Sequence, residues 1–425
     1  MRTFLLAAVA TVSILLGSPG QAAQPRAVVD RVADQIAANF YDPARGAQIA
    51  AELKAEAARG AYDRHTAPLD LAEALTARLR PLDGHFQVQW QAPQGVSASP
   101  GGPQRVLEDP DRDRRANYGF RAVEVLPGNI GLIDLRYFAG FRAEDAPARA
   151  RADAAMAMIA GADAVIVDLR DNGGGSPAMV GYLASYFVPR GADIYNTFKS
   201  RGPDAHETPP YEVRGPRVLD RPLYILTSAR TGSAAESFAY TLQAAKRAVV
   251  VGEASGGAAN PGDFAPAGDG FRVFVATGRP VNPITRTNWE GTGVTPDVVV
   301  PAGDASARAR ALALGEIRKA ASGVGAVEAQ WAAEALSPAA VDPAALAAYA
   351  GDYGSRRVAV EDGRLVVRTG RRPPLLLVPL AGDLFFVDGA ATPLRMRFER
   401  DGAGRVTGLL LLTPEGRTSR WARAG

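Results

Sequence analysis

Apolar residues recur at helical spacing through residues 24–82. Val28, Val29, Val32, Ile36 and Phe40 mark one stripe, and Leu53, Leu69, Leu71, Leu75 and Leu79 continue it. That period predicts amphipathic helices. Asp42-Pro43 and Thr66-Ala-Pro68 punctuate them. Phe86-Gln-Val-Gln-Trp90 alternates apolar and polar positions and predicts a short strand. Gln91–Pro103 is rich in Gly, Pro and Ser and reads as a loop.

From Asn117 the pattern becomes one of strands alternating with helices. Apolar runs predict strands at Ile130–Leu135, Ala164–Leu169, Leu223–Leu226, Ala248–Val251, Phe271–Val275 and Val298–Val300. Helical patterns fall between them at Ala146–Ala160, with Asp145 as a cap, and at Ala178–Phe187 and Ser233–Ala245. This alternation predicts a layered α/β core with a mixed, partly parallel sheet. Ala305–Ala321 reads as a closing helix, and Gly323–Pro338 as a linker with some helix. From Leu346 the pattern is all-β, with Asp-Gly hairpin turns at Asp362-Gly363 and Asp401-Gly402. The expected organisation is an N-terminal helical subdomain (24–90), an α/β core (117–322) and a C-terminal antiparallel β domain (340–425), a barrel or sandwich with no catalytic constellation.

Composition narrows the function. A chain of 425 residues, 47% hydrophobic, can build two to three domains. The net charge of +3 comes without a Lys/Arg stripe interleaved with aromatics, which argues against nucleic acid as a partner. Asp111-Arg-Asp-Arg-Arg115 reads as a charge-balanced, solvated loop. Residues 1–23 have the form of a secretory signal: Arg2, an apolar run from Phe4 to Leu16, and small residues around Gly20-Gln-Ala22. That run is short for a membrane span. The expectation is a periplasmic or secreted protein with no stable span after cleavage. There is no cysteine, so there can be no disulfide, thiol nucleophile or cysteine zinc site. Only His65, His85 and His206 are present, which disfavours a multi-histidine metal site.

Four segments carry candidate chemistry. In Leu223–Tyr240 a buried strand breaks at small and polar residues, and Ser233 opens a helix. The first N–H groups of a helix favour negative charge, which suits an acyl-transfer serine. Ser233-Ala-Ala-Glu236 equally fits a capping box. In Val165–Gly175 a buried strand runs into Gly173, Gly174 and Gly175, whose amides can approach a substrate oxygen. No Walker lysine follows, and a plain tight turn fits as well. His85 in Pro81-Leu-Asp-Gly-His-Phe86 is either a general base or a turn histidine. Glu290 in Thr287–Asp297 either orients a histidine or begins a Gly-rich turn.

Asp168–Gly175, Thr227–Glu236, Val251–Gly257 and Glu290–Asp297, in that order, resemble the serine peptidase family of the C-terminal-processing (tail-specific) and tricorn proteases, which includes the interphotoreceptor retinoid-binding protein modules. The resemblance covers roughly residues 28–305. It implies Ser233 as nucleophile, with the N–H groups of Gly174 and Ala234 as oxyanion hole. Gly173 and Glu236 are secondary candidates. The tail-specific branch places a lysine base where Ala258 stands, and Lys246 lies thirteen residues beyond Ser233, several helical turns away. The tricorn-like branch uses a histidine and a glutamate, matched by His85 and Glu290, with a helper serine where Gly84 stands. The interval Gln91–Ala116 is too short for the PDZ domain that processing peptidases often carry, since a domain needs roughly 50 residues. The resemblance thus implies an exported serine peptidase acting on polypeptides or peptides through an acyl-enzyme, with no metal or organic cofactor. The alternatives are a binding protein for an apolar ligand or peptide, and an esterase-type acyl hydrolase.

Overall fold

The structure is a computed structural model and describes residues 24–92, 110–141, 143 and 146–425. The expected signal segment, Asp145 and most of the 91–103 loop lie outside the described residues. The described residues form two compact units, one from 24–92 with 262–277 and one from 110–261 with 278–425.

In the first unit the helices Pro25–Asn39, Pro43–Ala58 and Pro68–Leu79 each begin with proline. Proline suits the first helical position, where its missing N–H costs nothing. The Asp42 side chain caps the second helix by accepting the Arg45 N–H at 3.0 Å. The predicted stripe is buried at Val28, Val29, Val32, Ile36, Phe40, Leu53, Leu71, Leu75 and Leu79, but Leu69 is exposed. The buried positions pack with Phe86, Val88, Phe271, Val273 and Val275. The last three lie in a three-stranded antiparallel sheet of Gln87–Trp90, Phe271–Ala276 and Gly262–Gly268. This corrects the expected boundary: Phe271–Ala276 belongs with the N-terminal helices, not with the α/β core. A period-two pattern shows which face of a strand is buried but not which core receives it.

The second unit holds a six-stranded sheet in which Phe120–Leu126 pairs antiparallel with Ile130–Leu135. The remaining strands, Ala164–Asp168, Leu223–Thr227, Val249–Gly252 and Val298–Val299, run parallel. Phe120–Leu126 went unpredicted because Arg121 and Glu124 break its apolar pattern. Strand residues alternate between two cores. Val165, Val167, Ile225 and Val250 pack with helices Pro147–Met158, Pro177–Ser185 and Ala234–Ala244. Ala164, Ile166, Tyr224, Leu226 and Val251 pack with helix Ala305–Ala320 and with Ala329 and Ala332. Two other expectations change. The 323–338 linker holds a full helix, Gly323–Ala335, and the charged 111–115 stretch is a short exposed helix, Pro110–Arg115.

The C-terminal segment is an eight-stranded antiparallel sheet whose strands pair in sequence order from Gly351 to Ala422. A Tyr353–Arg423 bridge and the Ala424 N–H bond to the Asp352 carbonyl (2.8 Å) join its two ends. The sheet therefore closes into a barrel, which removes both edges. Phe385, Phe398, Leu409 and Tyr353 fill its interior. Arg395 fastens the barrel to the preceding helix, lying over the Trp331 ring (4.5 Å) and pairing with Glu334 at 2.5 Å. Among the described residues no helix is long and apolar enough to cross a membrane.

Candidate active site

Strand Leu223–Thr227 is buried at every position, and the turn after it is stapled to the neighbouring loop. The Thr231 hydroxyl donates to the Leu169 carbonyl (2.8 Å) and accepts the Ser228 N–H (2.9 Å). The Ser228 hydroxyl donates to the Arg170 carbonyl at 2.5 Å. Out of this turn rises Ser233, exposed, with φ 52° and ψ −119°. That conformation is sparsely populated for a residue with a Cβ and costs on the order of 1–3 kcal/mol, so the surroundings must impose it. Helix Ala234–Ala244 follows directly. Ala234 stands in its first turn, where amides have no acceptor within the helix.

Glu236 is the main restraint. It is fully buried, and its carboxylate accepts the Ser233 N–H (2.8 Å), the Ser255 hydroxyl (2.6 Å) and the N–H groups of Gly257 (2.6 Å) and Ala258 (2.8 Å). The cap and the presentation of the serine are thus one arrangement. The Ser255 oxygen in turn accepts the Val294 N–H at 2.6 Å.

The glycine loop is organised by Asn172, which is fully buried and was not singled out in the sequence. Its amide nitrogen donates to the Leu135 carbonyl (2.9 Å), and its own carbonyl accepts the Gly232 N–H (3.0 Å). Its side-chain oxygen accepts the Gly174 N–H at 2.9 Å. This bears on the expected oxyanion hole: the Gly174 amide is engaged inside its own loop. The Gly174 carbonyl accepts the Phe138 N–H at 2.9 Å. A Cβ on Gly174 would lie 2.7 Å from the Ser233 Cβ, whereas one on Gly173 would meet nothing within 4 Å. The glycine that admits the serine is therefore Gly174.

His85 lies in the N-terminal unit. Its backbone N–H donates to Asp83 Oδ1 (2.9 Å), and its Nδ1 is 3.1 Å from the same oxygen. This bond assigns Nδ1 as the protonated nitrogen and Nε2 as the basic one. The ring stacks on Phe274 with centroids 5.9 Å apart. Asp83 is buried and bonds both the backbone and the ring of His85, a partner two residues before the histidine where the sequence offered Gly84 at the preceding position. Its signal was the Asp-Gly-His spacing itself, in which a short acidic side chain reaches its own backbone two residues on.

Glu290 is in the α/β unit, at the end of the loop that follows strand Gly278–Val281. One carboxylate oxygen accepts the N–H groups of Ala259 (2.8 Å) and Asn260 (3.0 Å), and the Glu290 N–H donates to Asn288 Oδ1 at 2.9 Å. Ser233, Ala234, Gly173, Gly174, Glu236 and Glu290 therefore share one unit, and His85 belongs to the other. Lys246 lies beyond the far end of the Ser233 helix.

The core of the site is thus a largely parallel sheet with a strained, exposed serine at a strand-to-helix turn, its helix start gripped by a buried carboxylate. Residues 129–300 match the model of peptidase family S41. The chain is 32% identical over 140 residues to the chloroplastic carboxyl-terminal-processing peptidase 2 of Arabidopsis thaliana, a match covering 33% of this chain and 26% of that protein. It is 29% identical over 140 residues to the carboxyl-terminal-processing protease of Synechocystis sp., covering 33% of this chain and 31% of that one. The chain thus spans about a third or less of the length of these relatives. Among solved structures it is similar to a lipoprotein from Streptococcus agalactiae, with TM-score 0.44 and 16% identity over 72% of this chain and 100% of that one. It is also similar to the photosystem II D1 C-terminal processing protease, with TM-score 0.41 and 16% identity over 65% of this chain and 93% of that one.

Proposed function

We propose that the protein is an exported serine peptidase that cleaves polypeptide or peptide substrates through an acyl-enzyme on Ser233. Ser233 Oγ attacks the scissile carbonyl, and His85 Nε2 takes its proton and returns it to the leaving amine. Asp83 holds the imidazole in that tautomer. The Ala234 N–H at the helix start receives the oxyanion, with a second amide from the 173–175 loop. Glu290 positions the 259–260 segment at the edge of the site. Export rests on the signal-like residues 1–23 and places the activity in the periplasm or outside the cell.

The observation that carries this reading is the backbone of Ser233. A residue held at φ 52° and exposed, with its N–H gripped by a buried glutamate, is presented outward at a conformational cost. A simple helix cap has no need of that conformation, because caps ordinarily adopt the β region. The test is Ser233→Ala, assayed on casein and a peptide library, with fluorophosphonate labelling of the wild type in parallel. The variant should fold normally and lose labelling, with turnover down by at least roughly 10³. Wild-type turnover by Ser233→Ala, or no labelling of the wild type, would sink the reading.

A further inference from the structure

A closed polar cluster sits behind the Ser233 helix. Glu207, Asn196, Ser237, Thr241 and Asn282 are each 2% exposed or less. Glu207 follows the hairpin strand Ala205–His206, and its N–H donates to the Asn196 carbonyl at 3.0 Å. Its carbonyl lies 2.0 Å from where a Cβ on Gly181 would be, so only glycine in helix Pro177–Ser185 lets this backbone so deep into the unit. The carboxylate accepts the Ser237 hydroxyl at 2.6 Å and the Asn196 side-chain N–H at 2.8 Å.

The contacts run onward in two directions. Ser237 stands one turn along the helix from Ser233, and its N–H donates to the Ser233 carbonyl at 2.9 Å. The Asn196 amide nitrogen also reaches Ser237 Oγ (2.8 Å) and Thr241 Oγ1 (3.0 Å) on that helix. In the other direction Asn196 Oδ1 accepts the Asn282 side-chain N–H at 3.0 Å. Asn282 Oδ1 holds the N–H groups of Ile284 (3.0 Å) and Thr285 (3.2 Å), and its N–H donates to the Thr287 carbonyl (3.0 Å). That turn leads directly into Trp289 and Glu290. One buried carboxylate therefore stands at the junction of the Ser233 helix and the Glu290 loop.

We propose that Glu207 is a positioning residue which, as the carboxylate, locks the Ser233 helix to the Glu290 loop through Ser237, Asn196 and Asn282, and that its protonation loosens both. This rests on the peptidase reading above for what the two elements do. A proton on Glu207 needs an acceptor, and Asn196 presents only N–H to it. Ser237 Oγ must then change from donor to acceptor, and its own hydrogen loses the carboxylate. Complete burial supports a switch near neutrality: it pushes the Glu207 acid up to about 7, against the pull of Ser237 and Asn196. The other titratable groups around it do not neutralise it. Tyr195 bonds Ser185, His206 is exposed and faces Thr197, and Lys199 pairs with Asp204. Arg217 pairs with Glu212, and Glu236, next to Ser237 in the chain, is engaged by the Ser233 N–H.

The experiment compares wild type, Glu207→Gln and Ser237→Ala in the full chain. It follows kcat and KM from pH 5 to 9, and amide hydrogen exchange over residues 234–244 and 282–290. Glu207→Gln should stay folded, lose about tenfold or more in kcat at pH 8 with KM little changed, and drop one ionisation from the acid limb. Both peptides should lose protection together. Ser237→Ala, which removes a bond favouring the carboxylate, should move the acid limb to higher pH. Wild-type kcat and pH profile in Glu207→Gln, or exchange changes confined to residues 205–208, would overturn the proposal. If Glu207→Gln does not fold, an unmoved acid limb in Ser237→Ala overturns it. Absent fluorophosphonate labelling of wild type defeats the peptidase reading alone, because the exchange comparison still decides whether Glu207 couples the two segments.

Discussion

Glu236 and Glu290 divide four consecutive amides between them. Glu236 accepts the N–H groups of Gly257 and Ala258, and Glu290 accepts those of Ala259 and Asn260, all between 2.6 and 3.0 Å. The segment after strand Val249–Gly252 is thus fixed by two carboxylates from different elements. One of them also holds the backbone of Ser233, so any displacement of Glu236 reaches Ser233 and the 257–260 segment together.

Glu236→Ala should therefore be among the most damaging single changes in the core. It strands the donors of Ser233, Ser255, Gly257 and Ala258, and each buried donor left unpaired costs about 1–3 kcal/mol. Glu236→Gln keeps the shape but turns an N–H2 toward at least one donor. Its expected result is a folded protein with kcat/KM lower by roughly 10². Urea unfolding and peptide kinetics on both variants check this. Glu236→Ala of wild-type stability would show that the grip is not what holds the turn.

Asp83 should matter through the orientation of His85. Asp83→Ala removes the acceptor at Nδ1 and frees the other tautomer. The expectation is a fall in kcat of roughly 10²–10⁴ with KM little changed and near-normal folding. Asp83→Asn should fall in the same range, because its amide can turn a donor toward Nδ1. Steady-state kinetics with circular dichroism decide it, and an Asp83→Ala enzyme at wild-type kcat would leave His85 without this orienter.

Neighbouring glycines should respond in opposite ways. An alanine Cβ at Gly174 would sit 2.7 Å from the Ser233 Cβ, on a backbone at φ +121°. Gly174→Ala must displace the serine, and turnover should vanish. At Gly173 a Cβ meets nothing within 4 Å, and Gly173→Ala should keep stability within about 1 kcal/mol of wild type. Equal loss of fluorophosphonate labelling in the two variants would contradict this account of why the loop is glycine-rich.

What the sequence disclosed follows from how local each signal is. The strand Ala164–Asp168 and the Ser233 helix were legible because unbroken apolar runs and a 3.6 period need no partner to be recognised. Strand Phe271–Ala276 was legible as a strand but not as part of the N-terminal unit, because alternation carries no address. Asp83 reads locally as the turn former of an Asp-Gly pair, and its bond to the His85 ring appears only in the folded turn. Asn172 read as one polar residue of a glycine-rich turn, and its three bonds run to residues distant in sequence or across the turn. Glu207 lies in Asp204-Ala-His-Glu-Thr-Pro-Pro210, which reads as a solvated loop. Its burial is created by Gly181, on a helix more than twenty residues earlier, and no local pattern reports that approach.

That burial gives stability a pH dependence of definite sign. The acid is pushed from its ordinary value of 4.5 to about 7 in the folded protein, chiefly by desolvation. Between those values the native state keeps a proton that the unfolded chain has released. Its contribution is therefore complete below about pH 4.5 and is lost as pH rises through about 7, amounting to about 3 kcal/mol in total. Glu207→Gln has no proton to lose, so this part of its stability is flat. The difference in unfolding free energy, variant minus wild type, should rise from pH 5 to pH 8 by up to about 3 kcal/mol, with Glu207→Gln gaining as pH increases. Taking the difference cancels every other titrating group the two proteins share. Urea melts at pH 5, 6, 7 and 8 supply the comparison. A difference constant across that range would mean that Glu207 titrates alike in the folded and unfolded chain, and that its carboxylate is not held in a desolvated site.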